Sequence, residues 1–214
     1  MDIFYGLVYN QGMKRFLFIL ILILGLSSNS TFGAMPWQKE EVTEVVDTVT
    51  EQAKVLYAQN NIDGAYKILI AKKEDTRSAE DWLLLGNILQ DKDKITEAIY
   101  MFNQSINKDP KFYKAHYNLG YIYLIQEKPN MALEEFKKAT KYKDDFSYGY
   151  YNMGCAYLKL KEYRNAKYNF FKALDLQNNS PQVYYNLAYS FKMLNNEKQA
   201  KIYLDIYNKI KEQE

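Results

Sequence analysis

The chain has 214 residues, of which 28 are basic and 26 acidic, so its formal net charge is only +2. This balance argues against nucleic acid as a partner, since nucleic-acid binders gather a basic excess on one face. A single cysteine, Cys155, and a single histidine, His116, exclude an intramolecular disulfide, a metal-ligand cluster of the usual kind and a Cys/His nucleophile pair. We therefore expect a protein without enzyme activity, metal or cofactor.

The N-terminal segment has the pattern of an export signal. Lys14 and Arg15 precede an apolar run over residues 16–26, and small and polar residues follow as far as Ala34. This order is typical of a secretory signal peptide, whereas a spanning helix needs about 20 apolar residues. We predict a signal peptide at 1–34, translation that starts at Met13, and an exported, periplasmic or extracytoplasmic protein. The alternative is an uncleaved signal-anchor, so that the protein contacts the membrane through this segment alone.

Apolar residues at helical spacing begin after the predicted signal peptide. Residues 35–45 are expected to form a linker that runs into the start of a helix. One helical stripe is formed by Val42, Val45, Val46, Val49 and Ala53, and a second helix is indicated by Ala65 and Leu69.

Small and apolar residues then recur with a period of 34. Gly86, Gly120 and Gly154 are followed at the same interval by Ala188, and two further series run in step: Ala98, Ala132, Ala166 and Ala200, and Phe102, Phe136, Phe170 and Leu204. A fixed period of this length indicates stacked copies of one supersecondary unit. Each unit is predicted to be two helices with small residues at their closest approach. Pro110 predicts a helix end, and Ser180–Pro181 predicts an N-cap and first helical position.

These residues resemble the tetratricopeptide repeat, whose pattern is an aromatic residue, Leu-Gly and Tyr, then Ala, Phe, Ala and Pro. The third unit carries His116, Leu119, Gly120, Tyr123, Ala132, Phe136 and Ala139, while Asp144 and Asn178 replace the proline of the third and fourth units. The resemblance implies an all-α, right-handed α-solenoid of antiparallel helix pairs. Its units are a degenerate repeat at 46–78 and repeats at 79–112, 113–146, 147–180 and 181–214. His116 then occupies a packed aromatic position, and Cys155 is expected to be a small apolar filler rather than a reactive thiol.

In this family the first helices line a concave groove that grips extended peptides or partner helices, which implies a partner-binding stripe here. The predicted groove residues are Leu83, Asn87, Tyr117, Tyr121, Leu124, Tyr148, Tyr151, Leu158, Tyr185 and Tyr189. Tyrosine provides large, rigid contact area with a polar tip. The alternative is that these tyrosines buttress neighbouring helices. The carboxylate clamp of co-chaperone repeats is absent, because only Lys114 offers a cation at the relevant positions.

The sequence thus predicts a non-catalytic scaffold in the cell envelope that binds a protein or peptide partner in its groove. The rival is a self-associating assembly factor. Its basis is the last helix, predicted at 197–214, where Ile202, Ile206 and Ile210 lie outside a packed stripe formed by Ala200, Tyr203, Leu204 and Tyr207. A homodimer through this helix would follow.

Overall fold

The computed structural model describes residues 47–213, and this part of the chain is entirely helical, without a strand. A short 3₁₀ turn, Glu74–Thr76, lies between the second and third helices. The helices are α1 (Thr48–Ala58), α2 (Ile62–Ala71), α3 (Ala79–Asp91), α4 (Ile95–Lys108), α5 (Tyr113–Ile125), α6 (Pro129–Tyr142), α7 (Ser147–Lys159), α8 (Tyr163–Asp175), α9 (Pro181–Met193) and α10 (Glu197–Lys211). The all-α prediction is confirmed for the described residues. None of these helices is both long enough and apolar enough to span a bilayer.

The helices pack as five consecutive hairpins. Within each hairpin an odd-numbered helix packs against the even-numbered helix that follows it, and that second helix packs on the first helix of the next hairpin. First helices of successive hairpins also contact one another, as α5 with α7 and α7 with α9. No comparable contact joins second helices in the described part. The first helices are therefore the inner, concave layer of an α-solenoid.

The recurring glycines are the points where the two helices of a hairpin approach most closely. A Cβ atom added to Gly154 would lie 2.5 Å from Cε1 of Phe170, and one added to Gly120 would lie 2.8 Å from Cδ1 of Phe136. Both phenyl rings are fully buried. Each ring thus packs directly on the glycine backbone, which explains why these residues recur together.

The last hairpin departs from this arrangement. Leu204 takes the position of the buried phenylalanines but is 41% exposed, so the prediction that it is packed was wrong. The physical reason is the missing neighbour. Phe170 shares its core cluster with Val183 and Leu187 of the next hairpin, whereas no helix of the described part covers the outer side of α10.

Each hairpin turn contains one residue in the left-handed backbone region. These residues have φ near 60°, and none is glycine: Asn60, Asp93, Glu127, Lys161 and Asn195. The amide of this residue donates to the carbonyl oxygen three residues earlier, as Lys161 does to Leu158 at 2.9 Å. The conformation closes the turn but strains side chains other than those of glycine and asparagine.

We therefore expect Lys161→Gly to stabilise the protein by about 0.5–1 kcal/mol, because glycine adopts this φ without a steric cost. Urea denaturation followed by circular dichroism measures the change. The matched control is Lys137→Gly, at an exposed position inside α6, which should cost about 1 kcal/mol through lost helix propensity. A loss of stability in Lys161→Gly would contradict the strain argument.

Two helix ends differ from the sequence-based expectation. The α1 helix begins at Thr48, because the side chain of Asp47 accepts hydrogen bonds from the amides of Val49 and Thr50. The expected earlier stripe from Val42 to Val46, like the predicted signal peptide, lies outside the described residues. Ser180 occupies the N-cap position of α9 without capping it, since its hydroxyl donates to Oδ1 of Asn178 at 2.9 Å. A third helix end agrees with the expectation, because α4 ends at Lys108, two residues before Pro110.

Candidate partner-binding groove

The inner layer presents a row of tyrosines whose exposure differs by position. Tyr148, Tyr185 and Tyr189 are 43%, 49% and 41% exposed. The other predicted groove residues are partly covered, namely Asn87, Tyr117, Tyr121, Tyr151 and Leu158. Leu83 and Leu124 are each 7% exposed and belong to hydrophobic core clusters, so they offer a partner almost no surface. The accessible groove is therefore a tyrosine surface on α5, α7 and α9.

Asparagines connect the first helices across the groove floor. The amide of Asn152 on α7 donates to the hydroxyl of Tyr117 on α5 at 2.9 Å, and Asn186 on α9 donates to the hydroxyl of Tyr151 at 3.2 Å. Asn118 begins the series, because it donates to the side chain of Asn87 at 2.6 Å.

These hydrogen bonds give Tyr117 and Tyr151 a buttressing role between units. Both rings also pack in a tilted geometry against the buried rings of their own hairpins, Phe136 and Phe170. Asn118, Asn152 and Asn186 recur in the sequence at the 34-residue interval, and the alternative interpretation gave them, with the tyrosines beside them, a buttressing role. The hydrogen bonds of Asn152 and Asn186 agree with that alternative.

Ionisation in the groove is set by burial. Burial raises the pKa of the Tyr117 and Tyr151 phenols far above their ordinary value, so both stay neutral and keep a hydroxyl proton at physiological pH. Burial likewise raises the pKa of the Cys155 thiol to about 12. A protonated thiol is a poor nucleophile, and Cys155 accepts a weak hydrogen bond from Asn186 at 3.8 Å. These properties fit a packed side chain.

A second aromatic group supports the exposed tyrosines. Phe146, in the turn before α7, contacts Tyr117 at a ring-centroid distance of 4.9 Å and Tyr148 at 6.3 Å. Farther along the groove, Tyr185 packs against Tyr207 of α10 at 5.3 Å, and Tyr189 meets Tyr163 at 6.3 Å. The exposed rings are therefore held by neighbouring rings, which limits the entropy that they lose when a partner binds.

The histidine lies in the packed interior, as expected for its position in the repeat. Nδ1 of His116 lies 2.6 Å from Oε2 of Glu135, and Nε2 lies 3.0 Å from the carbonyl oxygen of Pro110. Burial raises the pKa of Glu135, but hydrogen bonds from His116 and Lys138 outweigh it and leave the pKa below its ordinary value. No group of three metal-ligating side chains occurs within residues 47–213. The pair is a structural link between α5 and α6.

Stacked hairpins with a continuous inner surface define the chain as a helical-repeat protein of the α-solenoid class. A family model described as "TPR repeat" matches residues 86–126, and one described as "Tetratricopeptide repeat" matches residues 113–146 and 147–180. The resemblance is thereby confirmed: residues 86–180 consist of tetratricopeptide repeats.

Solved structures of MamA share the fold. MamA 41-end from Desulfovibrio magneticus RS-1 aligns with a TM-score of 0.69 at 16% identity, over 78% of this chain and 94% of that chain. MamA from MSR-1 aligns with a TM-score of 0.66 at 20% identity, over 77% and 95%. MamA from AMB-1 gives 0.66 at 18% identity, over 77% and 90%. No curated protein matches the sequence. At these identities the likeness concerns the fold, and the repeat class indicates protein–protein interaction.

Proposed function

We propose that this protein is an exported, non-catalytic scaffold that binds a segment of a partner protein in the concave groove of its repeats. The observation that carries the proposal is the exposed tyrosine surface on α7 and α9, formed by Tyr148, Tyr185 and Tyr189. Large aromatic side chains that are exposed to solvent in a cluster are typical of recognition sites. Export to the cell envelope rests on the signal-like pattern at 13–34.

The groove assignment is tested by Tyr121→Ala combined with Tyr189→Ala. These residues occupy equivalent positions of α5 and α9, the inner helices on either side of α7, so their loss removes contact area from both sides of the proposed site. We expect the double variant to lose the partner that the wild-type protein captures from an envelope extract, because its binding becomes weaker by about tenfold or more. Helical circular dichroism should be unchanged.

The matched control is Tyr100→Ala with Tyr168→Ala, because both tyrosines are exposed on second helices, away from the groove. Quantitative mass spectrometry of the three captures decides the assignment. A partner retained by the groove variant, or lost equally from the control, would refute it.

Self-association is a second candidate, favoured by apolar side chains that α10 exposes. Ile202 and Leu204 are 42% and 41% exposed. Sedimentation velocity of the wild-type protein and of Ile202→Lys separates the two functions. A wild-type dimer that dissociates in the variant supports self-association, whereas a wild-type protein that stays monomeric at high concentration excludes it.

A further inference from the structure

The inner helices of the last three hairpins share an unusual charge composition. The α5, α7 and α9 helices contain no aspartate or glutamate, and their lysines are Lys114, Lys159 and Lys192, one on each helix. The second helices of the same hairpins carry acidic and basic residues together. The absence of carboxylates is thus confined to the layer that forms the groove.

Two of the three lysines are available to a partner. Lys114, near the start of α5, and Lys192, near the end of α9, are exposed, and neither forms an ion pair within residues 47–213. Lys159 differs because its ammonium group pairs with Glu127 at 2.5 Å. The groove therefore has an unneutralised cation toward each end of its tyrosine surface.

Tyrosine hydroxyls add neutral hydrogen-bond donors between these cations. The phenol oxygen of Tyr117 accepts from Asn152, so its own proton is not used in that hydrogen bond. Tyr148, Tyr185 and Tyr189 make ring contacts but have no hydrogen-bonded side-chain partner on the described chain. Donors without matching acceptors favour a ligand that supplies acceptors.

The carboxylates at the N-terminal end of the inner layer are already engaged. Glu80 pairs with Lys54 at 2.8 Å, and Asp81 is fully buried beside Lys72. Asp91 accepts a hydrogen bond from Tyr57 at 2.5 Å. An acidic ligand would meet no carboxylate on α5, α7 and α9, and the carboxylates of α3 are already paired or hydrogen-bonded within the chain.

We infer that the groove over α5, α7 and α9 selects a peptide segment that combines aspartate or glutamate with apolar or aromatic side chains. This inference rests on the proposed function. The apolar side chains would pack on the tyrosine rings, and the carboxylates would pair with Lys114 and Lys192 and accept hydrogen bonds from the tyrosine hydroxyls. Charges at such positions govern association rate and specificity more than total affinity.

Single-stranded nucleic acid offers a competing anionic ligand, because bases stack on tyrosines. The structure favours the peptide, since affinity for a phosphate backbone comes from several cations along its path and the groove presents two. An oligonucleotide is therefore one arm of the test.

The probe is a phage-displayed library of random 12-residue peptides, selected on the full-length protein. We expect the selected peptides to gain Asp and Glu together with apolar and aromatic residues, and to lose Lys and Arg, relative to the input library. Selection on the Lys114→Glu, Lys192→Glu variant should abolish or reverse this charge preference. The matched control, Lys137→Glu with Lys209→Glu on second helices, should keep it, since both lysines are exposed on the outer layer.

The best selected peptide is then synthesised with a fluorophore, beside a version in which Asn and Gln replace Asp and Glu. Fluorescence anisotropy should show about tenfold weaker binding for the amide version, and a similar loss for the inner-layer charge reversal. The difference should shrink as salt concentration rises, because the lysines are exposed.

The outcomes separate the inference from the proposed function. Peptides without charge bias whose binding is lost in the Tyr121, Tyr189 double alanine variant would leave the groove in place and overturn the acidic preference. A library that yields no binder overturns both. Tighter binding of a fluorescent oligo-dT than of the best peptide, lost on the inner-layer charge reversal, would also overturn the inference, in favour of nucleic acid.

Discussion

Replacing Gly154 with leucine is expected to destabilise the fourth hairpin by about 3 kcal/mol or more. A Cβ atom at this position would already lie within 2.5–2.8 Å of three atoms of the Phe170 ring, and that ring is fully buried with no room to retreat. Leucine adds three further carbon atoms to the same space. Urea denaturation monitored by circular dichroism measures the loss. An unchanged midpoint would show that α7 and α8 do not nest as described.

The last hairpin supplies the control for this prediction, because Ala188 and Leu204 occupy the positions of Gly154 and Phe170. Gly154→Ala should cost about 1–2 kcal/mol, since overpacking exceeds the roughly 1 kcal/mol that alanine gains in helix propensity. Phe170→Leu should cost a similar amount through the void that it leaves. The double variant should recover about 1 kcal/mol relative to the sum of the single changes. Strict additivity would contradict a direct contact between the two positions.

The repeated core was predictable from the sequence because its constraint is itself repeated. A phenyl ring rests on a glycine in the second, third and fourth hairpins, so both residues recur there at the same 34-residue interval. The same logic covers the Asn152–Tyr117 and Asn186–Tyr151 links, whose asparagines recur in register.

Features whose residue type does not recur were not predictable in this way. The left-handed turn position returns in every hairpin, but Glu127 and Lys161 occupy it without the glycine or asparagine that would mark it. Groove exposure was also only partly predictable. Leu83 and Leu124 fall on the predicted stripe but are buried, because neighbouring helices cover them. Helical spacing gives the direction of a side chain from its own helix, and only the packing of adjacent units decides whether it reaches solvent.

The junction between the first two hairpins depends on a polar cluster that the repeat pattern does not contain. Asp81 of α3 is 0% exposed, and its carboxylate accepts from the Thr50 hydroxyl at 2.6 Å and from the Lys72 ammonium at 2.5 Å. It also completes a capping box with Ser78. Lys72 pairs in addition with Asp47. One carboxylate thus holds α1, the segment after α2 and the start of α3 together.

We expect Asp81→Ala to cost about 3 kcal/mol, because it removes a capping box and leaves buried donors without their acceptor. The loss should be local, since repeat arrays unfold by units. Hydrogen–deuterium exchange should accelerate in α1 and α2 while α7 and α8 keep their protection. The matched control is Asp63→Asn, whose exposed carboxylate pairs with Lys92 on the surface and should give no measurable change. Uniform acceleration along the array would contradict a local role.

The same cluster predicts how stability depends on pH. Burial raises the pKa of Asp81, but the hydrogen bonds from Lys72, Thr50 and Ser78 outweigh it, so the pKa in the folded state lies below the ordinary value of 3.8. A carboxylate with a lowered pKa stabilises the fold fully above its unfolded pKa and loses that contribution as pH falls through the folded value. Protection of α1 and α2 should therefore decline below about pH 4 in the wild type. In Asp81→Asn that decline should be shallower, because the titrating group is gone, and an equal slope in both proteins would assign the acid sensitivity to other carboxylates.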